Sequence, residues 1–142
     1  MLRQLSILLF LFLTLSCQKD SMDVPSDALA ESVAGVWHLS EKEAGSFGKK
    51  YWEDAKATPK DHRIILGNGS VLDTDSLSVC CAPTSLLINK NLIEVKPNPS
   101  LTVNPLCALI ECVSCPTWDL EWTGNQLIIT YCDGTRLKYL RR

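Results

Sequence analysis

Hydrophobic and polar positions follow three different rules along this 142-residue chain. From Leu5 to Leu15 the side chains are apolar almost without interruption, Ser6 and Thr14 being the exceptions. The run is too short to span a bilayer as a helix. With Arg3 ahead of it and the small Ser16 behind it, it has the layout of a secretory signal over residues 1–16. The next stretch, QKDSMDVPSDALAES, is polar and without apolar period, so residues 17–32 read as a tether. Within it, DALAES offers at most a helical turn capped by Asp27, and disorder is the expectation.

From residue 33 onward the period is two, the spacing of strands with one buried face. Trp37 and Leu39 alternate with Val36, His38 and Ser40. Arg63-Ile64-Ile65-Leu66 leads into the turn Gly67-Asn68-Gly69 and a returning strand over 70–79. Residues 86–88 and 92–95 form a hairpin around Asn89-Lys90-Asn91, because Asn tolerates left-handed backbone. Pro97 and Pro99 end it. The last segment is the most legible. A two-residue turn at Gly124-Asn125 sets Trp122 opposite Leu127, Leu120 opposite Ile129 and Trp118 opposite Tyr131. A three-residue loop, 132–134, then sets Ile129 opposite Leu137 and Leu127 opposite Tyr139, which keeps one face apolar throughout. Arg136, Lys138 and Arg141 are left pointing mostly to solvent.

Strands are thus predicted near 35–41, 62–66, 70–79, 85–88, 92–96, 117–123, 126–131 and 135–140. All successive links can be antiparallel. The fold class is all-β: a small antiparallel up-and-down barrel of about eight strands, with a two-sheet β-sandwich as the alternative. Residues 43–60, with Phe47, Tyr51 and Trp52, read as a long first loop. Residues 97–116, with four prolines and three cysteines, read as an insertion that needs cross-links to hold its shape.

Composition sharpens the compartment. Without residues 1–16, 126 residues remain, enough for one domain with one core. The 14 basic residues less Arg3 stand against 16 acidic ones, a net of −3, and no basic stripe exists, so nucleic acid is not an expected partner. Seven cysteines less Cys17 leave Cys80, Cys81, Cys107, Cys112, Cys115 and Cys132. In an oxidising envelope an even number reads as up to three disulfides, whose pairing the sequence leaves open. The vicinal pair cannot easily bond to itself, and Cys132 sits at a strand end facing a loop cysteine. A tetrahedral zinc site built from the same thiols is the alternative.

Two short motifs carry a resemblance. LTLSC resembles a bacterial lipobox, which makes Cys17 the lipid attachment site, carrying diacylglycerol and an acyl chain such as palmitate. CQKD resembles a surface-export tag of the Bacteroidota. Gly35-Val36-Trp37 resembles the first strand of lipocalin-like domains. Together the chain resembles a Bacteroidota lipocalin-like domain lipoprotein. The resemblance implies a membrane partner through the lipid anchor, in the outer membrane, on its periplasmic or its surface-exposed leaflet. It implies that Trp37 plugs the closed end of the barrel and that the 43–60 loop folds over the open mouth. There Phe47, Tyr51 and Trp52 would join Trp37 around a small apolar ligand, or staple the loop to the core. The competing function is an interaction module binding a protein or glycan, its interior filled by Trp118, Trp122, Tyr131 and Tyr139.

Catalytic chemistry is not expected. The histidines are His38, on the face opposite Trp37, and His62, and no strained GxSxG serine accompanies them. Cys112-Val-Ser-Cys115 lacks the βαβ context of a redox site. Asp73 and Asp75 fall short of the six or more oxygens that calcium takes. No metal and no cofactor is expected.

Overall fold

A computed structural model describes residues 25–58 and 61–141. Cys17, the 1–16 signal and the tether as far as residue 24 lie outside the described residues. The described residues form one α-helix, α1 (Ser26–Val33), and nine strands: β1 (Gly35–Ser46), β2 (Lys49–Asp54), β3 (His62–Ile65), β4 (Val71–Leu72), β5 (Ser85–Ile88), β6 (Asn91–Glu94), β7 (Thr117–Thr123), β8 (Gln126–Thr130) and β9 (Arg136–Arg141). The strands make one curled, barrel-like sheet in the order β4-β3-β1-β9-β8-β7-β5-β6, with β2 paired to the outer half of β1. The all-β, barrel-like expectation holds.

The β7–β8–β9 meander has the expected register: Trp122 faces Leu127, Leu120 faces Ile129, Ile129 faces Leu137 and Leu127 faces Tyr139. Leu120, Leu127 and Ile129 are fully buried. The Trp118 and Tyr131 rings meet edge to face at 4.7 Å. With Trp37, Leu86 and Ile88 these side chains fill the lower interior.

Four features differ from expectation, each for a local reason. Residues 26–33 are helical rather than disordered. Ala28, Leu29, Ala30 and Glu31 are good helix formers, and Leu29, Ala30 and Val33 make an apolar stripe that packs into the core. The helix begins at Pro25 with no side-chain cap, and Asp27 instead pairs with Lys96 at 2.6 Å.

Residues 43–54 are not a loop over the mouth. β1 runs on to Ser46, turns at Phe47-Gly48 and returns as β2, setting Glu43 opposite Trp52. Both turn residues have positive φ, 52° and 78°, as a tight two-residue hairpin requires.

The returning strand after Gly69 stops at Leu72. The Asp73 carboxylate accepts from the backbone N–H groups of Asp75 and Leu77, which bends the chain out of the ladder.

Finally, β5 and β7 pair in parallel. A parallel neighbour needs a crossover of about a dozen residues or more, and the 97–116 insertion supplies it.

The sheet curls until its two edges approach, but β4 and β6 do not pair. The β3–β4 turn bonds to the end of β6 instead, through Lys96 N–H to Asn68 O at 3.0 Å and Asn68 Nδ2 to Lys96 O at 2.7 Å. Gly69, at φ +86°, lies so close to Val95 that an added Cβ would stand 3.4 Å from its Cγ2. Helix α1 packs against β6 across this seam, so the gap between the edges is covered by helix rather than hydrogen-bonded shut.

Candidate functional site

The interior has a packed floor and an open mouth. The floor is Trp37, which is completely buried. Its indole Nε1 donates to Val33 O at 2.8 Å. Arg141 covers its ring at 4.3 Å, and the same guanidinium donates to Ser32 O and Ala34 O at 3.3 and 3.0 Å. One arginine therefore shields the tryptophan and satisfies carbonyls at the C-terminal end of α1. It is exposed to solvent, as expected, but engaged and not free. The chain can pass from helix to β1 beside this guanidinium because residue 35 is glycine, at φ +145°.

Above the floor opens a cavity of about 640 Å³, bordered by Arg63, Val79, Val113, Trp118, Tyr131 and Leu137 and by the cystines. Period two from Ile65 places Arg63 on the inner face, and β3 pairs it with Trp37. The Tyr131 and Tyr139 hydroxyls lie 3.3 Å apart at the boundary between floor and mouth. Burial, followed by the neighbouring Tyr131, pushes the Tyr139 phenol well above its ordinary pKa.

Three disulfides build the rim: Cys80–Cys107, Cys81–Cys112 and Cys115–Cys132. All six cysteines are thereby used, which removes the zinc alternative, and the C-x-x-C cysteines have different partners. The vicinal pair diverges because Cys81 takes a left-handed backbone, φ 58°, sending each sulfur to its own partner. Between those anchors Asn104 caps a 3₁₀ turn, Pro105–Leu109, accepting from Leu106 N–H and donating to Asp73 Oδ2, both at 3.0 Å. The turn carries Leu106, Leu109 and Ile110 outward, and Val113 follows, all exposed.

The four expected ligand residues are not brought together. Trp37 is sealed in the floor. Phe47 stands at the tip of the β1–β2 hairpin, fully exposed, and Tyr51 is half exposed on its arm. A register shift between Leu39 and Glu41 reverses which side chains face outward. Trp52 therefore lies outside the sheet, 4.4 Å from Lys138 Nζ and 5.5 Å from the Arg136 guanidinium. Around it runs a ladder of charge. Arg136 bonds Glu43 at 2.6 Å and Glu121 at 2.5 Å, Lys50 bonds Glu43 at 2.8 Å, and Lys138 pairs with Glu41. Lys50 and then Arg136 hold the Glu43 carboxyl below its ordinary range. This ladder is self-neutralised and offers little to a partner.

Leu137 was already placed on the inner face by its register with Ile129, whereas Arg63 is a mouth residue that period and composition did not single out. The signal was present: counting back two from Ile65 already turns Arg63 inward. His38 and His62 meet outside the sheet with ring centres 5.6 Å apart. Comparisons with protein-family models, with curated proteins and with solved structures returned no match.

Proposed function

We propose that this is a lipid-anchored envelope lipoprotein with a lipocalin-like domain, and that the domain binds a small apolar ligand in the mouth of its curled sheet. The observation that carries the binding half is the 640 Å³ cavity above a packed floor. Its size lies within the range of small-molecule sites, and its walls are mostly aromatic, aliphatic and cystine side chains with a few polar points, Arg63, Ser114 and Asp133. The anchoring half rests on the LTLSC motif at Cys17 and on three disulfides, which persist in oxidising compartments. An acyl anchor contributes about 0.8 kcal/mol per buried CH₂, so two or three chains suffice to hold a domain of this size.

Two substitutions test the two halves. Cys17→Ala is expected to abolish incorporation of labelled palmitate and to move the protein from the membrane to the soluble envelope fraction. Labelled palmitate retained on that variant would exclude Cys17 as the attachment site. Leu137→Trp narrows the mouth and is expected to weaken binding of an apolar fluorophore at least tenfold. Unchanged binding would move the site elsewhere.

A second reading, an interaction module for a protein or glycan, is favoured by the exposed Leu106, Leu109, Ile110 and Val113 on the stapled insertion. It is preferred if Leu106→Ser together with Leu109→Ser, neither of which borders the mouth, removes a cell-surface phenotype that Leu137→Trp leaves intact.

A further inference from the structure

Arginines 63, 136 and 141 have unequal surroundings. Arg136 is held by two carboxylates and Arg141 by two carbonyls and an indole ring. Arg63 has a different environment. Its Nη1 donates to the carbonyl of His62 at 3.1 Å, and its Nε is buried with no hydrogen-bond partner. Among the described residues no carboxylate stands within ion-pair distance of it. The nearby acids are engaged. Asp61 accepts from Thr58 N–H and Oγ1 at 2.7 and 2.9 Å. Asp133, at the rim, accepts from Thr135 N–H and Oγ1 at 2.8 and 2.9 Å.

A buried guanidinium donor without an acceptor is costly. Engaging Nη1 leaves Nε and Nη2 without an acceptor among the described residues. These form the edge whose parallel N–H groups match the two oxygens of an oxyanion, and since Nε is covered, a head reaches both only when the guanidinium turns toward the cavity. This edge belongs to a residue that lines the mouth cavity, whose other borders are Trp118, Tyr131, Leu137, Val79, Val113 and the cystines, with Ser114 and Asp133 as further polar points. Asp133 at the rim is already held by Thr135, so Arg63 is the charged border left without an acceptor, and the mostly apolar lining around it selects for a molecule with one anionic head and an apolar body.

We propose that the mouth cavity takes an amphipathic anion, with its oxyanion head held by the free edge of Arg63 and its apolar body lying against Trp118, Leu137 and the cystine rim. This rests on the mouth being the binding site, as proposed above. The head is a carboxylate or a phosphate, the two sources being a free fatty acid or a lipid headgroup.

The test uses the full acylated chain held in zwitterionic nanodiscs, with empty nanodiscs as the blank, and the probes octanoate, octyl phosphate and octanol. Octanoate or octyl phosphate is expected to bind the wild type at least about tenfold more tightly than octanol, the scale of a charge-assisted pair. The tighter of the two identifies the source of the head. Arg63→Gln is expected to remove that preference and leave octanol unchanged. Arg63→Lys, which keeps the charge but loses the fork, is expected to fall between. Octanol binding as tightly as both anions to the wild type would overturn the anionic head while leaving the cavity reading intact. No binding of any probe would instead overturn the cavity reading. If Arg63→Gln does not fold, Arg63→Lys and the wild-type preference still decide.

Discussion

Trp37 touches more of the fold's logic than any other side chain. It fills the floor, bonds the last turn of α1 and carries Arg141 on its ring. Trp37→Ala is expected to cost about 3–5 kcal/mol, by the usual measure of an aromatic removed from a packed core. Arg141→Ala should cost about 1–2 kcal/mol, since it loses a cation–π contact and two carbonyl bonds near the surface. Denaturant midpoints check both. Tyr139 makes a prediction of a different kind. Its phenol titrates higher folded than unfolded, because burial and then Tyr131 disfavour the phenolate. Above the unfolded value of about 10 the native state therefore holds more protons than the unfolded chain, and stability falls as pH rises. Tyr139→Phe should flatten that alkaline loss. A slope unchanged by the substitution would assign it to other groups.

Elements differ in how openly the sequence declared them. The β7–β9 meander was legible down to register because both turns carry glycine and every inward position is apolar, so a slip by one residue would bury Asp119 and Glu121. Helix α1 was hidden because its apolar stripe holds only Leu29, Ala30 and Val33, and its value comes from the seam it covers, a tertiary fact. The β1–β2 hairpin was hidden because Glu41, Glu43, Trp52 and Asp54 show no apolar alternation. Its outer face is tied down by charge instead. Phe47→Ser at its exposed tip should shift stability by no more than about 0.5 kcal/mol. Arg136→Ala, which leaves Glu43 only Lys50 and removes the ion pair of Glu121, should lower the thermal midpoint by visibly more. Equal midpoints would show the ladder to be ornamental. The mouth was half legible: the bulky residues of β7 and β8 were foreseen inside, whereas Arg63 was read only as the start of a strand.

At the scale of the whole molecule, the disulfides and the insertion act as one part. Cys115–Cys132 closes a separation of 17 residues and ties the end of the insertion to the β8–β9 loop. Replacing both cysteines by alanine should cost about 3 kcal/mol by loop entropy alone. It should also weaken ligand retention, because the pair borders the mouth. Chemical denaturation and the fluorophore titration separate the two effects. If stability falls and binding is unchanged, the rim is a staple and no part of the site.

The pairing of β1 with β9 has a consequence in time. Arg141 bonds the carbonyl of Ala34 across a separation of 107 residues, and the floor is incomplete until it does. A chain emerging from its N-terminal end presents α1 and β1 first and must then wait, with Trp37 uncovered, for almost everything else. Non-local closure of this kind is slow. The meander and the hairpins can form early and locally, but the sheet cannot curl shut around them until the last strand arrives. A chain lacking β9 is therefore expected to remain open and to expose its tryptophans, and the final residues of the domain act as the latch that ends its folding.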